Sequence, residues 1–143
     1  MDFESRLRID RDLPAVKEFL DASGGRLERR DQDPDGLYWI VLGLDTGQPF
    51  VVRVFWSVYP FRPPSVLFAE SIGGSTTVPS AWPNATGYRA PNDICKPFSA
   101  EGQQIHPEWA GSVHAWRPEG NPFLYVVETI DADVRRVNGA RAA

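Results

Sequence analysis

The strongest constraint on the fold is a stretch of period-two patterning that runs from Arg26 to Phe68. Every second residue from Phe50 to Trp56 is large and apolar, as in a β-strand with one buried face. Two turn signals, Asp-Pro-Asp-Gly at 33–36 and Asp-Thr-Gly-Gln-Pro at 45–49, separate segments 26–32, 37–44 and 50–57. A fourth segment follows at 65–68. The sequence therefore predicts a four-stranded antiparallel meander.

A helix is predicted on each side of this meander. The first begins at the candidate N-cap Asp12, has Pro14 in its first turn and ends at the Ser-Gly-Gly of 23–25. The second begins at the N-cap Asn121 with Pro122 in its first position and ends at the Asn-Gly of 138–139. Residues 72–92 are rich in Gly, Ser, Thr, Pro and Asn without a sustained period, which predicts a long irregular segment.

The order of a helix, a four-stranded meander, an irregular segment and a second helix predicts an α+β fold with helices packed on one antiparallel sheet.

A chain of 143 residues can bury a substantial core in one domain. We expect that domain over residues 1–138, with a frayed tail at 139–143. Cys95 is the only cysteine, so no internal disulfide can form.

Charge and hydropathy narrow the range of partners. A net charge of −4 leaves no basic excess for nucleic acid or an anionic membrane. No apolar run approaches the roughly 20 residues that span a bilayer, and the N-terminus is charged, so we expect a cytoplasmic protein without a membrane partner. One cysteine and two histidines at these spacings do not form a zinc pattern, and neither a metal nor a cofactor is expected.

Three motifs occur in a characteristic order. The first is Tyr-Pro-Phe-Arg-Pro-Pro-Ser-Val-Leu-Phe at 59–68, the second is Asp-Ile-Cys at 93–95, and the third is Trp-Arg-Pro at 116–118 before a helix. In this order they resemble the ubiquitin-conjugating enzyme family, with the ten-residue match at 59–68 as the specific one. The resemblance covers roughly residues 12–134.

The chain departs from the common form of that family. The His-Pro-Asn motif has no clean counterpart, since Trp-Pro-Asn at 82–84 carries Trp where His is expected and lies further upstream. The segments on both sides of Cys95 are longer than usual, and the final two helices are missing. These departures, with histidines after the cysteine, are similar to those of bacterial conjugating-enzyme relatives from ubiquitin-like modification systems.

The resemblance implies a UBC-like fold with a long active-site loop region and Cys95 as the thioester-forming nucleophile. Such an enzyme receives a ubiquitin-like protein from an activating enzyme and transfers it to an amine of a protein substrate, with a ligase as a further partner. The tetrahedral oxyanion of that transfer needs a donor. The candidates near the cysteine are Asn92, Asn84, His106 and His114. The predicted partner-binding residues are Phe61, Pro63, Trp116 and Pro118.

Two other functions remain open from the sequence. Without a clear His-Pro-Asn motif, the chain could be an inactive relative that binds a ubiquitin-like protein or acts as a scaffold for other proteins. Alternatively, Cys95 with His106 or His114 could form a cysteine hydrolase. Lys96 directly follows the cysteine, and a cation beside the thiol would lower its pKa modestly.

Overall fold

The computed structural model describes residues 1–143. It is an α+β structure that contains three α-helices, a four-stranded sheet and a two-stranded hairpin. In chain order the elements are α1 (Phe3–Ala22), β1 (Arg26–Glu28), β2 (Leu37–Leu42), β3 (Phe50–Phe55), β4 (Ser65–Ala69), β5 (Tyr88–Arg89), β6 (Asp93–Ile94), α2 (Ala100–Ile105) and α3 (Pro122–Arg136). Two short 3-10 turns lie at Pro79–Ala81 and Pro107–Gly111.

The predicted meander is confirmed. Its strands are antiparallel neighbours in the order β1, β2, β3, β4, with Leu37 opposite Phe55 and Val54 opposite Val66. The alternation in β3 has the expected consequence, because Phe50, Val52 and Val54 are buried while the intervening side chains are partly exposed. β1 is shorter than predicted and ends at Glu28 rather than at residue 32.

The first helix begins ten residues earlier than the sequence predicted. Asp2 is its N-cap and accepts a hydrogen bond from the Ser5 backbone N–H at 2.8 Å, while Pro14 lies in the helix interior. The predicted cap, Asp12, is instead buried in the middle of the helix, where it accepts a 2.6 Å hydrogen bond from the Tyr59 hydroxyl. The sequence did not predict the first ten residues of α1 as helix, because the core-facing residues include polar Ser5 and Asp12, which interrupt the apolar stripe.

The C-terminal helix is confirmed at its start. The Asn121 side chain accepts from the Leu124 backbone N–H at 3.0 Å, and Pro122 occupies the first turn. Phe123, Val127 and Ile130 are among the residues that α3 buries. α1 and α3 pack together over one face of the sheet, and their apolar residues join those of the strands in one core of 23 buried side chains. None of the three α-helices has the length and apolar character needed to cross a bilayer.

Short elements occur where the sequence predicted irregular structure. The hairpin of β5 and β6 falls at residues 88–94, and α2 follows it. The tail, predicted to be frayed, also makes specific contacts: the Arg141 guanidinium donates to the carbonyl oxygens of Gln48 and Pro49 at 2.9 and 2.8 Å. The Ala142 backbone N–H donates to the Trp82 carbonyl at 2.9 Å.

Candidate active site around Cys95

Cys95 follows directly after β6, and the hairpin determines the direction in which its side chain points. Its backbone N–H donates to the Gly87 carbonyl at 2.8 Å, which extends the pairing of β5 with β6 by one residue. Ile94 is fully buried in the core. Successive side chains of an extended chain point to opposite faces, so the Cys95 thiol lies on the outer side, where it is half-buried.

The helix α2 packs closely against the segment that carries Cys95. Ser99 is its N-cap: the hydroxyl accepts from the Gly102 backbone N–H at 2.9 Å and donates to the Ile94 carbonyl at 2.6 Å. Gly102 lies so near this segment that an added Cβ would be 2.4 Å from the Lys96 carbonyl oxygen. Only glycine permits that approach of two backbones.

A carboxylate joins the same helix to the sheet. The two oxygens of Glu101 accept from the Val66 backbone N–H at 2.8 Å and from the Ser65 hydroxyl at 2.6 Å. Ser65 and Val66 begin β4, the strand that follows the proline-rich turn. The position of α2, and of the residues after it, is therefore set by the four-stranded sheet.

His106 follows the last residue of α2 and faces the thiol. Its Nε2 atom lies 3.0 Å from the Cys95 Sγ atom, and its Nδ1 atom lies 3.0 Å from a carboxylate oxygen of Glu108. The ring also stacks on the Trp109 indole, with centroids 4.3 Å apart and planes inclined by 17°. Cys95, His106 and Glu108 thus form one chain of contacts, which is the arrangement that a nucleophile, a base and a residue orienting the base would need.

The Glu108 carboxylate lies at the imidazole nitrogen opposite the one that faces the thiol. A hydrogen bond from its own backbone N–H and the contact with His106 hold the pKa of Glu108 below its usual range. An ionised carboxylate can only accept hydrogen bonds, so its contact with His106 is a hydrogen bond when Nδ1 carries the proton. In a neutral ring with that tautomer, Nε2 would present a lone pair to the thiol of Cys95.

The ammonium group of Lys96, which the sequence suggested as a cation beside the thiol, is paired with a carboxylate on α3. Its Nζ atom lies 3.5 Å from an Asp133 oxygen on α3 and 5.4 Å from the centre of the Tyr88 ring. The Tyr88 hydroxyl donates to the same Asp133 oxygen at 2.6 Å. Burial, together with this hydrogen bond to a carboxylate, raises the pKa of Tyr88 well above its ordinary value.

The other predicted donors lie apart from the contacts of Cys95. Asn84 and Asn92 are exposed, and neither side chain hydrogen-bonds the thiol, whose partner is His106. Asn84 is held through its backbone N–H, which donates to the Ala140 carbonyl at 2.8 Å. His114 is also exposed, and its ring lies 5.5 Å from Trp109, on the indole that stacks with His106. Of the four candidates, the structure brings only His106 to the sulfur.

The residues predicted to bind partners lie around the proline-rich turn. Phe61 is 61% exposed, with the Arg8 guanidinium 5.1 Å from its ring centre, and Pro63 is partly exposed. The Trp116 indole N–H donates to the Pro60 carbonyl at 2.9 Å, which fastens the segment before α3 to the turn.

A groove of about 460 Å³ lies beside the loop that follows Cys95. Its walls include Pro97 and Phe98 on one side and Trp116, Pro118 and Tyr125 on the other. Gln103 joins the two sides, because its amide nitrogen donates to the carbonyl oxygens of Pro97 and His114 at 2.9 and 2.8 Å. The groove thus lies between two segments that Gln103 of α2 joins.

Glu108, whose carboxylate contacts the His106 ring, and Trp109, whose indole stacks on it, were not singled out from the sequence. The spacing His-Pro-Glu-Trp at 106–109 was the available signal, because a carboxylate two residues after a histidine can reach its ring across a tight turn. No group of three or more His, Cys, Asp or Glu side chains is placed to hold a metal ion. No protein-family model matches the chain, and a comparison with curated proteins gives no match.

Proposed function

We propose that this protein is a ubiquitin-conjugating-like enzyme that carries a ubiquitin-like protein as a thioester on Cys95. The observation that carries the proposal is a half-buried, outward-facing thiol 3.0 Å from the Nε2 atom of His106. The order of elements supports it, because a helix, a four-stranded meander, a loop region with the cysteine and a C-terminal helix are what the motif resemblance implies.

In the charging step, His106 takes the thiol proton and the Cys95 thiolate attacks the carbonyl carbon of an activated C-terminal thioester. The tetrahedral intermediate collapses with cleavage of the original carbon–sulfur bond, and the thiol of the activating enzyme leaves with the proton from His106. A free cysteine with a pKa near 8.5 is only about one-tenth thiolate near pH 7.5, so a base at this distance increases the reactive fraction.

In the transfer step, an amine of the substrate attacks the thioester carbonyl, and Cys95 leaves as a thiolate. Lysine has a pKa near 10.4, so only on the order of one part in a thousand is neutral near pH 7.5. His106, already beside the sulfur, can accept the proton that the attacking nitrogen loses and return it to the departing sulfur. The same imidazole therefore serves both steps.

Two surfaces are available for the protein partners. The groove beside Pro97 and Phe98, which follow Cys95 in the chain, can receive an extended tail or an acceptor segment. The exposed ring of Phe61, on the proline-rich turn, is the candidate contact for an activating enzyme or a ligase. We assign the ubiquitin-like protein to the groove and the other partners to the turn.

The test is a charging reaction with an activating enzyme, its ubiquitin-like protein and ATP. The wild-type chain should form an adduct that a thiol reductant removes, whereas Cys95→Ser should form an oxyester that resists the reductant. Cys95→Ala should form no adduct, and an undiminished adduct in that variant would refute the proposal. Binding of the ubiquitin-like protein without any adduct would instead indicate a noncatalytic carrier or scaffold.

A cysteine hydrolase is the second candidate, favoured by the contact of Glu108 with the His106 ring on the side opposite Cys95. An oriented base is what hydrolysis needs to activate both the thiol and the attacking water. This function predicts repeated turnover of a small thioester or a peptide substrate without ATP. Stoichiometric acylation of Cys95 that stops after one equivalent would exclude it.

A further inference from the structure

The surroundings of His106 suggest how the base is held in place. Four groups face or border its ring: the Cys95 thiol at Nε2, the Glu108 carboxylate at Nδ1, the Trp109 indole on one face, and His114 beyond that indole. Lys96, which follows Cys95 in the chain, is paired with Asp133 on α3. Glu108 is therefore the only charged group in contact with the imidazole.

We propose that Glu108 is a positioning residue that holds His106 with Nδ1 protonated, so that Nε2 accepts the Cys95 thiol proton. The transfer leaves a thiolate at Cys95 and an imidazolium at His106, whose Nδ1–H donates to the carboxylate. The negative charge of Glu108 stabilises this imidazolium and therefore favours the reactive form of the sulfur.

The geometry of the short 3-10 turn supports this role. Pro107 begins the turn, and its ring restricts the backbone between His106 and Glu108. Trp109 then places its indole nearly parallel to the imidazole, at 4.3 Å. Two residues of one turn thus restrain the same ring, one through a hydrogen bond in its plane and the other against its face.

This inference rests on the proposed function only in taking Cys95 as the nucleophile, and it can be tested without any protein partner. The rate at which iodoacetamide alkylates Cys95 is measured from pH 5 to pH 10 in the wild type, Glu108→Gln, Glu108→Ala and His106→Asn. Glu18→Gln serves as the matched control, because Glu18 is an exposed glutamate on α1 outside the site. Glutamine retains the size and the acceptor oxygen of Glu108 but not its charge.

We expect iodoacetamide to alkylate Cys95 faster in the wild type than in His106→Asn at pH 6.5, because the imidazole beside the sulfur accepts the thiol proton. Because Glu108 is exposed and its charge is screened, Glu108→Gln should slow alkylation at pH 6.5 by about threefold to tenfold, and Glu108→Ala by at least as much. Glu18→Gln should follow the wild type. A Glu108→Gln profile that coincides with the wild type would overturn the proposal.

The tautomer offers a second readout, which a merely structural role for Glu108 would not change. Nitrogen NMR of the neutral imidazole in a Cys95→Ser background, where the group beside Nε2 is uncharged, should show His106 protonated at Nδ1, with a redistribution toward Nε2 when Glu108→Ala is added. An unchanged tautomer in that variant would overturn the assignment. The two proposals can also fail separately. If Glu108→Gln alkylates more slowly than the wild type, but the wild type forms no adduct with a ubiquitin-like protein, the positioning role of Glu108 stands and the conjugating function is refuted.

Discussion

Gly102 and Lys96 approach each other so closely that no side chain fits between them. A Cβ on Gly102 would lie 2.4 Å from the Lys96 carbonyl oxygen and 2.9 Å from the Lys96 backbone nitrogen. Both neighbouring atoms belong to the backbone, and neither can turn away as a flexible side chain would. This contact holds α2, and with it His106, against the segment that contains Cys95.

Gly102→Ala should therefore destabilise the protein and move His106 away from Cys95. Relief of the overlap requires a backbone shift, for which we expect a loss of about 2 kcal/mol in the free energy of unfolding, measured by urea denaturation. Alkylation of Cys95 at pH 6.5 should slow in the same variant. Gly111→Ala is the matched control, because its added Cβ would have no neighbour within 4 Å. Equal stability of the two variants would contradict the close packing.

Glu101→Ala should loosen α2 from the sheet. It removes the acceptor of the Val66 backbone N–H and of the Ser65 hydroxyl, and an unsatisfied, partly buried donor costs about 1–3 kcal/mol. Hydrogen exchange at Val66 should accelerate, while exchange in the middle of β3 should change only by the global loss of stability. Glu128→Ala, an exposed glutamate on α3, provides the control. Unaltered exchange at Val66 would show that the carboxylate does not hold the strand.

The pH dependence of the free energy of unfolding in alkaline solution should depend on Tyr88. Burial and the hydrogen bond to Asp133 raise the pKa of its phenol in the folded state, so the unfolded chain loses this proton first. The contribution of Tyr88 to the free energy of unfolding is therefore complete below its pKa in the unfolded chain, which is near 10, and diminishes as the pH rises above that value. Tyr88→Phe should lose about 1 kcal/mol at pH 8 with the hydrogen bond, yet its stability should fall less steeply between pH 10 and pH 11. Parallel curves for the two proteins, from urea denaturation at each pH, would disprove this linkage.

Arg141→Ala should release the C-terminal tail. The guanidinium donates to the carbonyl oxygens of Ser80, Gln48 and Pro49, and its carbon lies 4.0 Å from the centre of the Phe50 ring. We expect a loss of about 1–2 kcal/mol in the free energy of unfolding and greater protease sensitivity after residue 139. Arg62→Ala is the control, since Arg62 is exposed and its side chain makes no ion pair or hydrogen bond. A tail that is cleaved equally in both variants would argue against the anchor.

Local patterns were sufficient to predict the sheet and the last helix. The two turn signals placed β2 and β3 within two residues of their observed bounds, because alternating apolar residues and tight turns act over short distances. Asn121 and Pro122 marked the start of α3 for the same reason. The predicted start of α1 was wrong because Ser5 and Asp12 face the core and hydrogen-bond to Tyr59, which is distant in the sequence and cannot be inferred from a local pattern.

The site was predictable only in part. Cys95 was singled out by the order of three motifs, but the choice among four donors required tertiary structure. Asn92 is nearer to Cys95 in the sequence than His106 is. The six-residue helix α2 between Cys95 and His106 nevertheless brings the histidine ring back to the sulfur. That helix buries only Gly102, so it has no apolar stripe for a sequence pattern to detect.

The chain contains only two lysines, Lys17 and Lys96, and the ion pair between Lys96 and Asp133 has a consequence for any acyl group on the neighbouring sulfur. An amine one residue from a thioester would be the first acceptor available, and the protein would modify itself. With its nitrogen turned toward α3 and held by a carboxylate, Lys96 is withdrawn from that reaction. Lys17 lies on α1, outside the candidate site, and the arginines are too weakly nucleophilic to replace Lys96, so a cargo on Cys95 would be preserved for an outside recipient.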